Sequence, residues 1–461
     1  MKYYMAIDIG ASSGRHILGW LDNGKIMTEE IYRFSNGPIE DISAFDGKKH
    51  WFWEVDRLYK EIINGLKKAK ELGKIPYSVG VDTWGVDYAL LDENDNLIDK
   101  VFCYRDWRTE ESSKKVHEII PFSELFSRTG IEFDFFNTVY QLYDDKLSGK
   151  LDSAKSMLNL PDYFHFRLTG VKAHEYAMST TTAMLNTKTR TWDYEVIEKL
   201  GLNKDMFLSV TAPSTEIGEF SLETQGIVGF NAKVILPATH DTASAVIGAP
   251  LESQTPYISS GTWSLLGVEQ DFAHTEAKAL ELNYSNEGSV DGKYRLQKNI
   301  MGLWILQQVR HETGDKYSFV ELAEMARQNV NDYLIDVKDR RFTAPENMTE
   351  EINKAVGKKL SIGEMVYCIL NSLAESYKIE LDALEQITGE KYDTLNIIGG
   401  GSQNKLLNEL TKKKTGKRII TGPTECTAIG NLMMQMIGGK EIKDVKECRQ
   451  IVKNSFDIKE I

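Results

Sequence analysis

The sequence predicts an α/β protein with two domains. Strand-like apolar runs alternate with amphipathic helical segments to about residue 245, which is the pattern of this class. An opening pattern of strand, small polar loop and strand at Ile7–Leu18 recurs at Tyr257–Val268. If each domain begins with such a hairpin, the boundary lies within residues 246–253. The 461 residues then divide into domains at 1–246 and 247–461.

Composition excludes several function classes. With 55 Lys+Arg against 68 Asp+Glu, the net charge is −13, which gives no overall attraction to nucleic acid or to an anionic membrane. A local basic pocket for a phosphate remains open. No apolar run approaches the ~20 residues of a membrane span, and no signal-peptide core follows the N-terminus. We expect a cytoplasmic protein, monomeric or dimeric.

The four cysteines predict reduced thiols. They are too far apart in sequence for a zinc knuckle or a Cys-x-x-Cys redox pair. This spacing is typical of a protein in a reducing compartment. The four are Cys103, Cys368, Cys426 and Cys448.

The N-terminal region predicts three consecutive strands. Met5–Gly10 is an apolar run, and the small polar loop Ala11–Arg15 leads directly to a second run at His16–Leu21. Asn23-Gly24 is a strong hairpin signal before a third strand at Lys25–Phe34. Because the loop joins two strands, the sequence argues against a Rossmann nucleotide site, which needs a helix directly after its glycines.

The next elements are a helix and an interrupted strand. Apolar residues at three- and four-residue spacing predict a helix over 54–73. The strand expected at Ser78–Leu91 is broken by Thr83-Trp84-Gly85. Glycine within a strand marks either close approach of a ligand or a β-bulge, and both interpretations of Gly85 stay open.

The C-terminal half predicts further strand and helix pairs. Ser361 and Glu364 form a capping box before one long apolar helix face that ends at Gly389. A buried strand at Thr394–Ile398 leads into Gly399-Gly400-Gly401 and a helix, and a strand at Arg418–Ile420 precedes a helix through Gly438.

Phosphate chemistry is indicated at the first loop. No Gly-Lys pair is followed by Ser or Thr, so a Walker A loop is absent. In Asp8–Arg15, a strand ends near a carboxylate and small residues follow, which lets backbone N–H groups approach phosphates. Ser12 and Ser13 add hydroxyls, Arg15 adds charge, and Asp8 could hold the water shell of Mg²⁺. The alternative is a plain hairpin loop.

Three other polar groups are candidates. His240-Asp241-Thr242 follows an apolar run near the boundary, where Asp241 could accept a proton or act as a helix N-cap. Asn299 is interpreted as the start of an apolar helix that carries Gln307. Gly399–Asn404 fails the dinucleotide fingerprint at its last glycine, so it is a nucleotide-contacting turn or an ordinary strand-to-helix turn.

Taken in order, these pieces resemble the FGGY family of carbohydrate kinases, within the actin-like ATPase superfamily. Eight segments that span nearly the whole chain carry the resemblance. They are Asp8–Arg15, Val81–Asp87, Phe136–Leu142, Leu160–Phe164, His240–Ala245, Ser259–Ser264, Lys298–Trp304 and Gly399–Asn404. Most of the family has Thr-x-Ser after the first glycine, and Ala11–Arg15 departs from this pattern.

The resemblance implies two ribonuclease-H-like domains with a nucleotide and sugar cleft between them. It implies that Ala11, Ser12, Ser13, Gly14 and Arg15 line the ATP phosphates. The remaining roles follow the matched motifs. The implied nucleotide contacts are Thr262, Gln307, Gly400 and Gly401, and the implied sugar contacts are Gly85, His240, Asp241, Thr242 and Asn299, with Asp241 as the base.

The implied activity is transfer of a phosphoryl group from ATP to a ketose. The variant loop is most similar to that of members that phosphorylate L-rhamnulose at its C1 hydroxyl. Another ketose (L-fuculose, L-ribulose or L-xylulose) is the nearest alternative, because a few hydrogen bonds separate these sugars. A sugar-responsive regulator or chaperone-type ATPase of the same superfamily is the alternative from another class.

Overall fold

The structure is a computed structural model, and it describes residues 1–252, 254–343 and 345–461. Ser253, at the end of the predicted boundary segment, lies outside the described residues. Within these ranges, no helix has both the length and the apolar character needed to cross a membrane.

Twenty strands form the sheets of the residues that the structure describes. They are β1 (Tyr3–Ile9), β2 (Ser13–Asp22), β3 (Lys25–Ser35), β4 (Ile39–Ile42), β5 (Lys49–Trp53), β6 (Pro76–Thr83), β7 (Tyr88–Leu91), β8 (Val101–Phe102), β9 (Ser156–Asn159), β10 (His174–Glu175), β11 (Val210–Thr211), β12 (Glu216–Glu219), β13 (Lys233–Ile235), β14 (Tyr257–Ser260), β15 (Trp263–Gln270), β16 (Ser285–Gly288), β17 (Tyr294–Met301), β18 (Thr394–Ile398), β19 (Arg418–Thr421) and β20 (Lys459–Glu460).

Seventeen α-helices lie between the strands of the described chain. They are α1 (Val55–Glu71), α2 (Thr109–Ile119), α3 (Phe122–Thr129), α4 (Thr138–Leu147), α5 (Leu160–Thr169), α6 (Tyr176–Thr180), α7 (Tyr194–Lys199), α8 (Leu222–Val228), α9 (Asp241–Ile247), α10 (Ala277–Glu281), α11 (Trp304–Glu312), α12 (Phe319–Arg327), α13 (Met348–Val356), α14 (Ile362–Thr388), α15 (Lys405–Thr415), α16 (Cys426–Gly438) and α17 (Val445–Ser455).

The chain forms two compact units that are not simple halves. The first unit contains Met1–Pro250, Gln270–Leu296 and Thr427–Ser455. The second contains Leu251–Glu269, Gln297–Cys426 and Phe456–Ile461. The α/β class is confirmed in both units, because each has a central sheet with helices packed against its strands.

The first unit is built on a six-stranded sheet in the order β12-β13-β6-β1-β2-β3. The three N-terminal strands are antiparallel, as predicted, while β6 runs parallel to both β1 and β13. At the β2–β3 turn, Asn23 and Gly24 both have positive φ, which is the conformation that an Asn-Gly hairpin favours. Strand β1 is buried on both faces, and the predicted helix α1 packs on β2 and β3.

The strand predicted at Ser78–Leu91 is two strands in two sheets. Strand β6 ends at Thr83, and β7 pairs with β9 instead of continuing the central sheet. The break at Trp84-Gly85 is therefore a transfer between sheets, and the β-bulge interpretation is wrong. Val86, with a φ of 69°, provides the sharp change of direction.

The second unit repeats the hairpin and parallel-strand arrangement. Strands β15, β14, β18, β19 and β20 lie side by side in that order, with β17 on the other side of β15. Strand β14 is antiparallel to β15 and parallel to β18, as β1 is to β2 and β6. The capping box of Ser361 and Glu364 begins α14, and Gly389 ends it in the left-handed conformation, as predicted.

Candidate active site

Two carboxylates lie side by side on the central strands of the first unit. The parallel register of β1 and β6 places Asp8 beside Asp82, and both residues are buried. Burial raises the pKa of Asp82 well above its usual value, and the charges of Asp8 and Asp241 raise it further. Three carboxylates therefore share one electrostatic environment at the ends of these strands.

Asp8 is neutralised in part by Arg15. The antiparallel register of β1 and β2 places the two residues opposite each other. The Arg15 Nη2 and Nε atoms lie 2.7 and 3.0 Å from Asp8 Oδ2. The first loop therefore starts and ends at an ion pair, which fixes the strands on either side of it.

Asp82 has one satisfied and one unsatisfied oxygen. Asn431 of α16 donates to Asp82 Oδ2 and to the Gly80 carbonyl. Asp82 Oδ1 is buried, and no described group forms a hydrogen bond with it. An unpaired buried carboxylate oxygen is costly unless a cation or water meets it. The site therefore has an oxygen available to a hard cation.

The first loop is a tight turn with an exposed serine at its tip. The Gly10 N–H donates to the Ser13 carbonyl at 2.9 Å, and Asn36 donates to the Gly10 carbonyl at 2.9 Å. A Cβ on Gly14 would lie 2.1 Å from the Phe34 ring, so a larger residue there would displace that ring. Ser12 is exposed at the turn. An exposed hydroxyl among small residues is a suitable partner for an anion.

Asp241 is the first residue of α9. His240 occupies the N-cap position, so the N-cap interpretation of Asp241 is wrong. The Thr242 N–H and hydroxyl donate to Asp241 Oδ1 at 2.6 and 3.2 Å. The Asp241 side chain is 30% exposed, although loss of surrounding water still raises the pKa of its carboxyl. The nearby Asp8 charge also raises that pKa, and His240 lowers it.

His240 joins Asp241 to a second ion pair. Its Nε2 atom lies 3.4 Å from Asp241 Oδ1, and its Nδ1 atom lies 2.9 Å from Glu287 Oε2. Arg295 Nη2 lies 2.8 Å from the same Glu287 oxygen. Glu287 and Arg295 come from neighbouring strands, β16 and β17. The sequence analysis missed both, because no local motif marks them and only strand pairing brings them to His240.

Gly85 lies in the same unit beside an aromatic layer. Thr83 forms a parallel bridge with His240, which places the break after β6 next to the start of α9. A Cβ on Gly85 would lie 3.3 Å from the Thr181 side chain. Asp87 accepts hydrogen bonds from the Trp53 and Trp84 indoles at 2.7 and 2.8 Å. Burial raises the pKa of Asp87 to about 6, and these donors oppose the shift.

In the second unit, Thr262 lies in the turn between β14 and β15. The Leu303 and Trp304 N–H groups donate to the carbonyls of Gly261 and Thr262 at 3.0 and 3.2 Å. The turn is therefore joined to the beginning of α11, which carries Gln307 three residues after Trp304.

Asn299 is not the start of a helix, contrary to the sequence interpretation. It lies in strand β17, and the helix begins later, at Trp304. The segment is apolar in both cases, and apolar spacing alone does not separate the end of a strand from the start of a helix. Gln307 does lie on the helix, as predicted.

The three glycines after β18 form a close-packed turn. A Cβ on Gly401 would lie 1.9 Å from Ser260 Oγ, so the turn packs tightly on β14. Gly400 is exposed, and no described atom lies within 4 Å of a Cβ built there. A short 3-10 turn, Gly400–Gln403, separates the glycines from α15, which Asn404 caps. The predicted helix therefore begins one turn later than expected.

Comparison with known sequence families explains why the site contains two hairpins, two loops and the partly exposed carboxylate of Asp241. The sequence model of the FGGY family of carbohydrate kinases, N-terminal domain, matches residues 3–248. The model of the C-terminal domain of the same family matches residues 256–439. The chain belongs to the FGGY family of carbohydrate kinases.

Individual relatives agree with this assignment. A rhamnulokinase from Oceanobacillus iheyensis is 45% identical over 463 aligned residues, which cover 98% of this chain and 97% of that protein. A rhamnulokinase from Halalkalibacterium halodurans is 44% identical, covering 100% of this chain and 98% of that protein. This FGGY kinase is thus similar over nearly its whole length to two rhamnulokinases.

A solved structure agrees in fold. The ligand-bound xylulose kinase from Lactobacillus acidophilus superposes with a TM-score of 0.79, covering 98% of this chain and 92% of that chain. Sequence identity is 16%, so the comparison concerns the fold alone. The two-domain α/β fold of this FGGY kinase is the fold that its motifs predicted.

Among the residues predicted for the site, those of the first unit lie close together. Asp8 and Arg15 form the ion pair at the first loop, and Asp241 shares the electrostatic environment of Asp8 and Asp82. In the second unit, the turn at Thr262 is joined to the helix that carries Gln307, and Gly401 packs on β14. The roles of these residues in binding remain predictions.

Proposed function

We propose that this FGGY kinase transfers the γ-phosphoryl group of ATP to the C1 hydroxyl of L-rhamnulose, giving L-rhamnulose 1-phosphate and ADP. The observation that carries the choice of sugar is the full-length similarity to rhamnulokinases, at 45% and 44% identity. Specificity among ketoses depends on residues across the whole sugar site, and the aligned region covers 98% of this chain in the first of these relatives.

Asp241 is the proposed general base. Its carboxylate is partly exposed at the start of α9, and the raised pKa brings its proton affinity closer to that of a working base. Asp241 would take the proton from the C1 hydroxyl as that oxygen attacks the γ-phosphorus. Phosphoryl transfer depends mainly on positioning and on charge stabilisation, so a weak base is sufficient when the proton leaves late.

The first loop is the proposed phosphate site of the first unit. Its backbone turn, the exposed Ser12 and the Arg15 guanidinium provide N–H and O–H donors within one short segment. We assign Ala11, Ser13 and Gly14 to the same contact surface. Small residues are needed here because a larger side chain would keep the phosphates away from the backbone.

Asp8, with Asp82 beside it, is the proposed holder of Mg²⁺. Carboxylate oxygens are suitable ligands for this hard cation, which binds proteins through one or two carboxylates plus substrate phosphates. The unpaired Asp82 Oδ1 and the clustered charges fit such a cation. When bound, Mg²⁺ would neutralise phosphate charge.

The remaining assignments concern substrate binding. We propose that Thr262, Gln307, Gly400 and Gly401 contact the nucleotide. Support comes from the exposed backbone at Gly400 and from the joined turn and helix at Thr262 and Gln307. We propose that the sugar contacts are Gly85, His240, Asp241, Thr242 and Asn299. Support for the first four is their proximity around the bridge between Thr83 and His240.

A cytoplasmic location is also proposed. All four cysteines are free and buried, which is typical of proteins in a reducing compartment.

A ketose panel tests the proposed function. Purified protein would be given ATP, Mg²⁺ and one of L-rhamnulose, L-fuculose, L-ribulose or L-xylulose, with ADP release measured by a coupled assay. We expect the highest kcat/KM with L-rhamnulose, by about tenfold or more over the others. Phosphorus NMR of the product should place the phosphate on C1. A higher kcat/KM for another ketose, or ADP release that does not depend on sugar, would contradict the proposal.

A further inference from the structure

Helix α16 carries two amide side chains in a mostly apolar sequence. Asn431 and Gln435 lie four residues apart, so they share one face of the helix. Neither residue has any exposed surface. A buried amide is costly unless it forms hydrogen bonds, so each of these groups needs partners inside the protein.

Main-chain carbonyls of the central sheet fix the orientation of both amides. Gln435 Nε2 donates to the Met5 carbonyl at 2.9 Å, and Asn431 Nδ2 donates to the Gly80 carbonyl at 3.1 Å. Because a carbonyl oxygen only accepts, the amide nitrogen has to face it in each case. The Ser78 hydroxyl donates to Gln435 Oε1 at 2.7 Å, which agrees with this orientation.

The two amides are joined to each other and to Asp82. Gln435 Nε2 also donates to Asn431 Oδ1 at 2.6 Å, so the Asn431 oxygen faces Gln435 and its nitrogen faces Asp82 Oδ2. This approach is possible because Gly80 has no side chain. A Cβ there would lie 2.8 Å from Asn431 Oδ1 and 3.0 Å from Gln435 Nε2. A continuous chain of hydrogen bonds therefore leads from Gln435 through Asn431 to Asp82.

This chain of hydrogen bonds determines which oxygen of Asp82 is occupied. Oδ2 accepts from Asn431, while Oδ1 is buried and forms no hydrogen bond with a described group. If the Asn431 amide rotated by half a turn, its oxygen would face the Asp82 carboxylate and the Gly80 carbonyl, and all three groups are acceptors. The donation from Gln435 opposes this rotation, so Oδ2 stays occupied and Oδ1 stays available.

We propose that Gln435 is a positioning residue that acts through Asn431 to present Asp82 Oδ1 to Mg²⁺. This inference rests on the part of the proposed function that assigns Mg²⁺ to Asp8 and Asp82. Mg²⁺ binds proteins through carboxylate oxygens, and the groups that donate to such a carboxylate control its orientation. A neutral amide suits this task, because a lysine or arginine in its place would offset the charge that attracts the cation.

The first test is Gln435→Met, which keeps a similar side-chain length but removes the donor to Asn431. We expect the dissociation constant of Mn²⁺, measured on the protein–ADP complex by water-proton relaxation, to rise about 10–100-fold, the loss typical of removing a group that orients a metal ligand. Mn²⁺ is a suitable probe because it shares the preference of Mg²⁺ for carboxylate oxygens. No sugar is present, so the measurement does not depend on turnover. An unchanged dissociation constant would overturn the proposal.

A double-mutant cycle tests whether Gln435 acts through Asn431. Asn431→Leu removes the donor to Asp82 itself, so it should weaken Mn²⁺ binding at least as much as Q435M does. The variant with both substitutions should bind Mn²⁺ as N431L does, because the contact that Gln435 supports is already lost. Additive effects would show that Gln435 acts by another route, and the proposal would then be wrong.

The side-chain carboxyl carbon of Asp82 gives a readout in the wild-type protein. In protein labelled with ¹³C at the aspartate carboxyls, the Asp82 signal can be assigned by its loss in an Asp82→Asn variant. Addition of Mg²⁺ to the ADP complex should shift this signal. An Asp82 signal that does not respond would overturn the inference, whether or not the α16 variants fold. Failure of the ketose panel would instead remove the proposed sugar and leave both metal readouts intact.

Asn286→Leu is the matched control. Asn286 is also a buried amide of the first unit, and it donates to the carbonyls of Gly130 and His274 and accepts from the His274 N–H. These partners are main-chain groups and include no carboxylate. N286L should lower the thermal midpoint, as the α16 variants do, and leave the Mn²⁺ dissociation constant unchanged. An equal loss of Mn²⁺ affinity in N286L would contradict a specific role for Gln435.

Discussion

Asp241 illustrates how surroundings tune a single residue. An aspartate in water has a pKa of about 3.9, which makes it a poor base near neutral pH. Burial raises the pKa of the Asp241 carboxyl, and the Asp8 charge raises it further, while His240 lowers it. The carboxyl therefore becomes protonated at a higher pH than a free aspartate. Because a base must be unprotonated to act, kcat should fall as the pH decreases through this raised pKa.

Asp241→Asn tests this role. An amide keeps the shape of the side chain but cannot take the proton, so kcat should fall about 10²–10⁴-fold, and the acidic limb of the pH–rate profile should disappear. Nucleotide affinity, measured by calorimetry, should not change. Asp56→Asn is the control, because Asp56 also lies in the first turn of a helix but pairs with Arg167 on the surface. Near wild-type turnover in D241N would exclude Asp241 as the base.

At the scale of single residues, the sequence identified candidates only where they lie in a recognisable motif. Asp241 was a candidate because a carboxylate between polar neighbours follows an apolar run. Glu287 and Arg295 had no such context, since they reach His240 only through the pairing of β16 with β17. The sequence showed that the predicted strand is interrupted at Gly85. It did not show that the chain passes to a second sheet at this point.

At the scale of elements, the position of α9 depends on close packing against α16. A Cβ on Gly430 would lie 1.8 Å from the Ser244 carbonyl oxygen and 2.9 Å from the Gly248 nitrogen. These are backbone atoms of α9 and its C-terminus, so they cannot rotate away as a side chain can. The helix that presents Asp241 is therefore held by a glycine on a neighbouring helix.

Gly430→Ala should move α9 and lower both stability and activity. The added methyl group should cost at least about 1–3 kcal/mol of unfolding free energy, measured by urea denaturation, and kcat should fall because Asp241 moves with its helix. Gly226→Ala is the matched control. Gly226 is an exposed glycine inside α8 with no described atom near its Cβ position, so alanine should stabilise the protein by about 0.5–1 kcal/mol. Equal midpoints for the two variants would contradict this account.

The predicted elements were mostly correct where the periodic apolar pattern was long and was bounded by capping or turn residues. Helix α14 and its capping box, the three N-terminal strands and the hairpin turn were all predicted from local signals. Asn299 was placed wrongly because its apolar segment is short, and short apolar segments are compatible with a strand or a helix. The N-cap interpretation failed by one residue, since His240 occupies that position.

At the scale of the whole molecule, burial explains the state of the cysteines. All four are buried and free, and burial raises the pKa of the Cys368 thiol to about 11 and that of Cys448 to about 12. The pKa values of Cys103 and Cys426 are also raised by burial. Thiolates are the reactive form, so the native protein should be inert towards thiol reagents.

A thiol titration checks this expectation. Native protein treated with Ellman's reagent without a reductant should react slowly, and the same protein in guanidinium should release the equivalent of four thiols. Rapid reaction in the native state would show that at least one cysteine is accessible. Fewer than four equivalents after denaturation would indicate a disulfide, which the free cysteines of the structure exclude.

The sequence by itself determined the α/β class, the family and most of the loops that match its motifs, because these depend on short-range periodicity, glycine placement and local order along the chain. Only the tertiary structure decided that three carboxylates share one environment, that Asp82 has an unpaired oxygen, and that Glu287 and Arg295 support His240. It also showed that Gln270–Leu296 and Thr427–Ser455 belong to the first unit. These features depend on strand pairing and helix packing between segments that are distant in sequence. Local sequence patterns do not indicate such contacts.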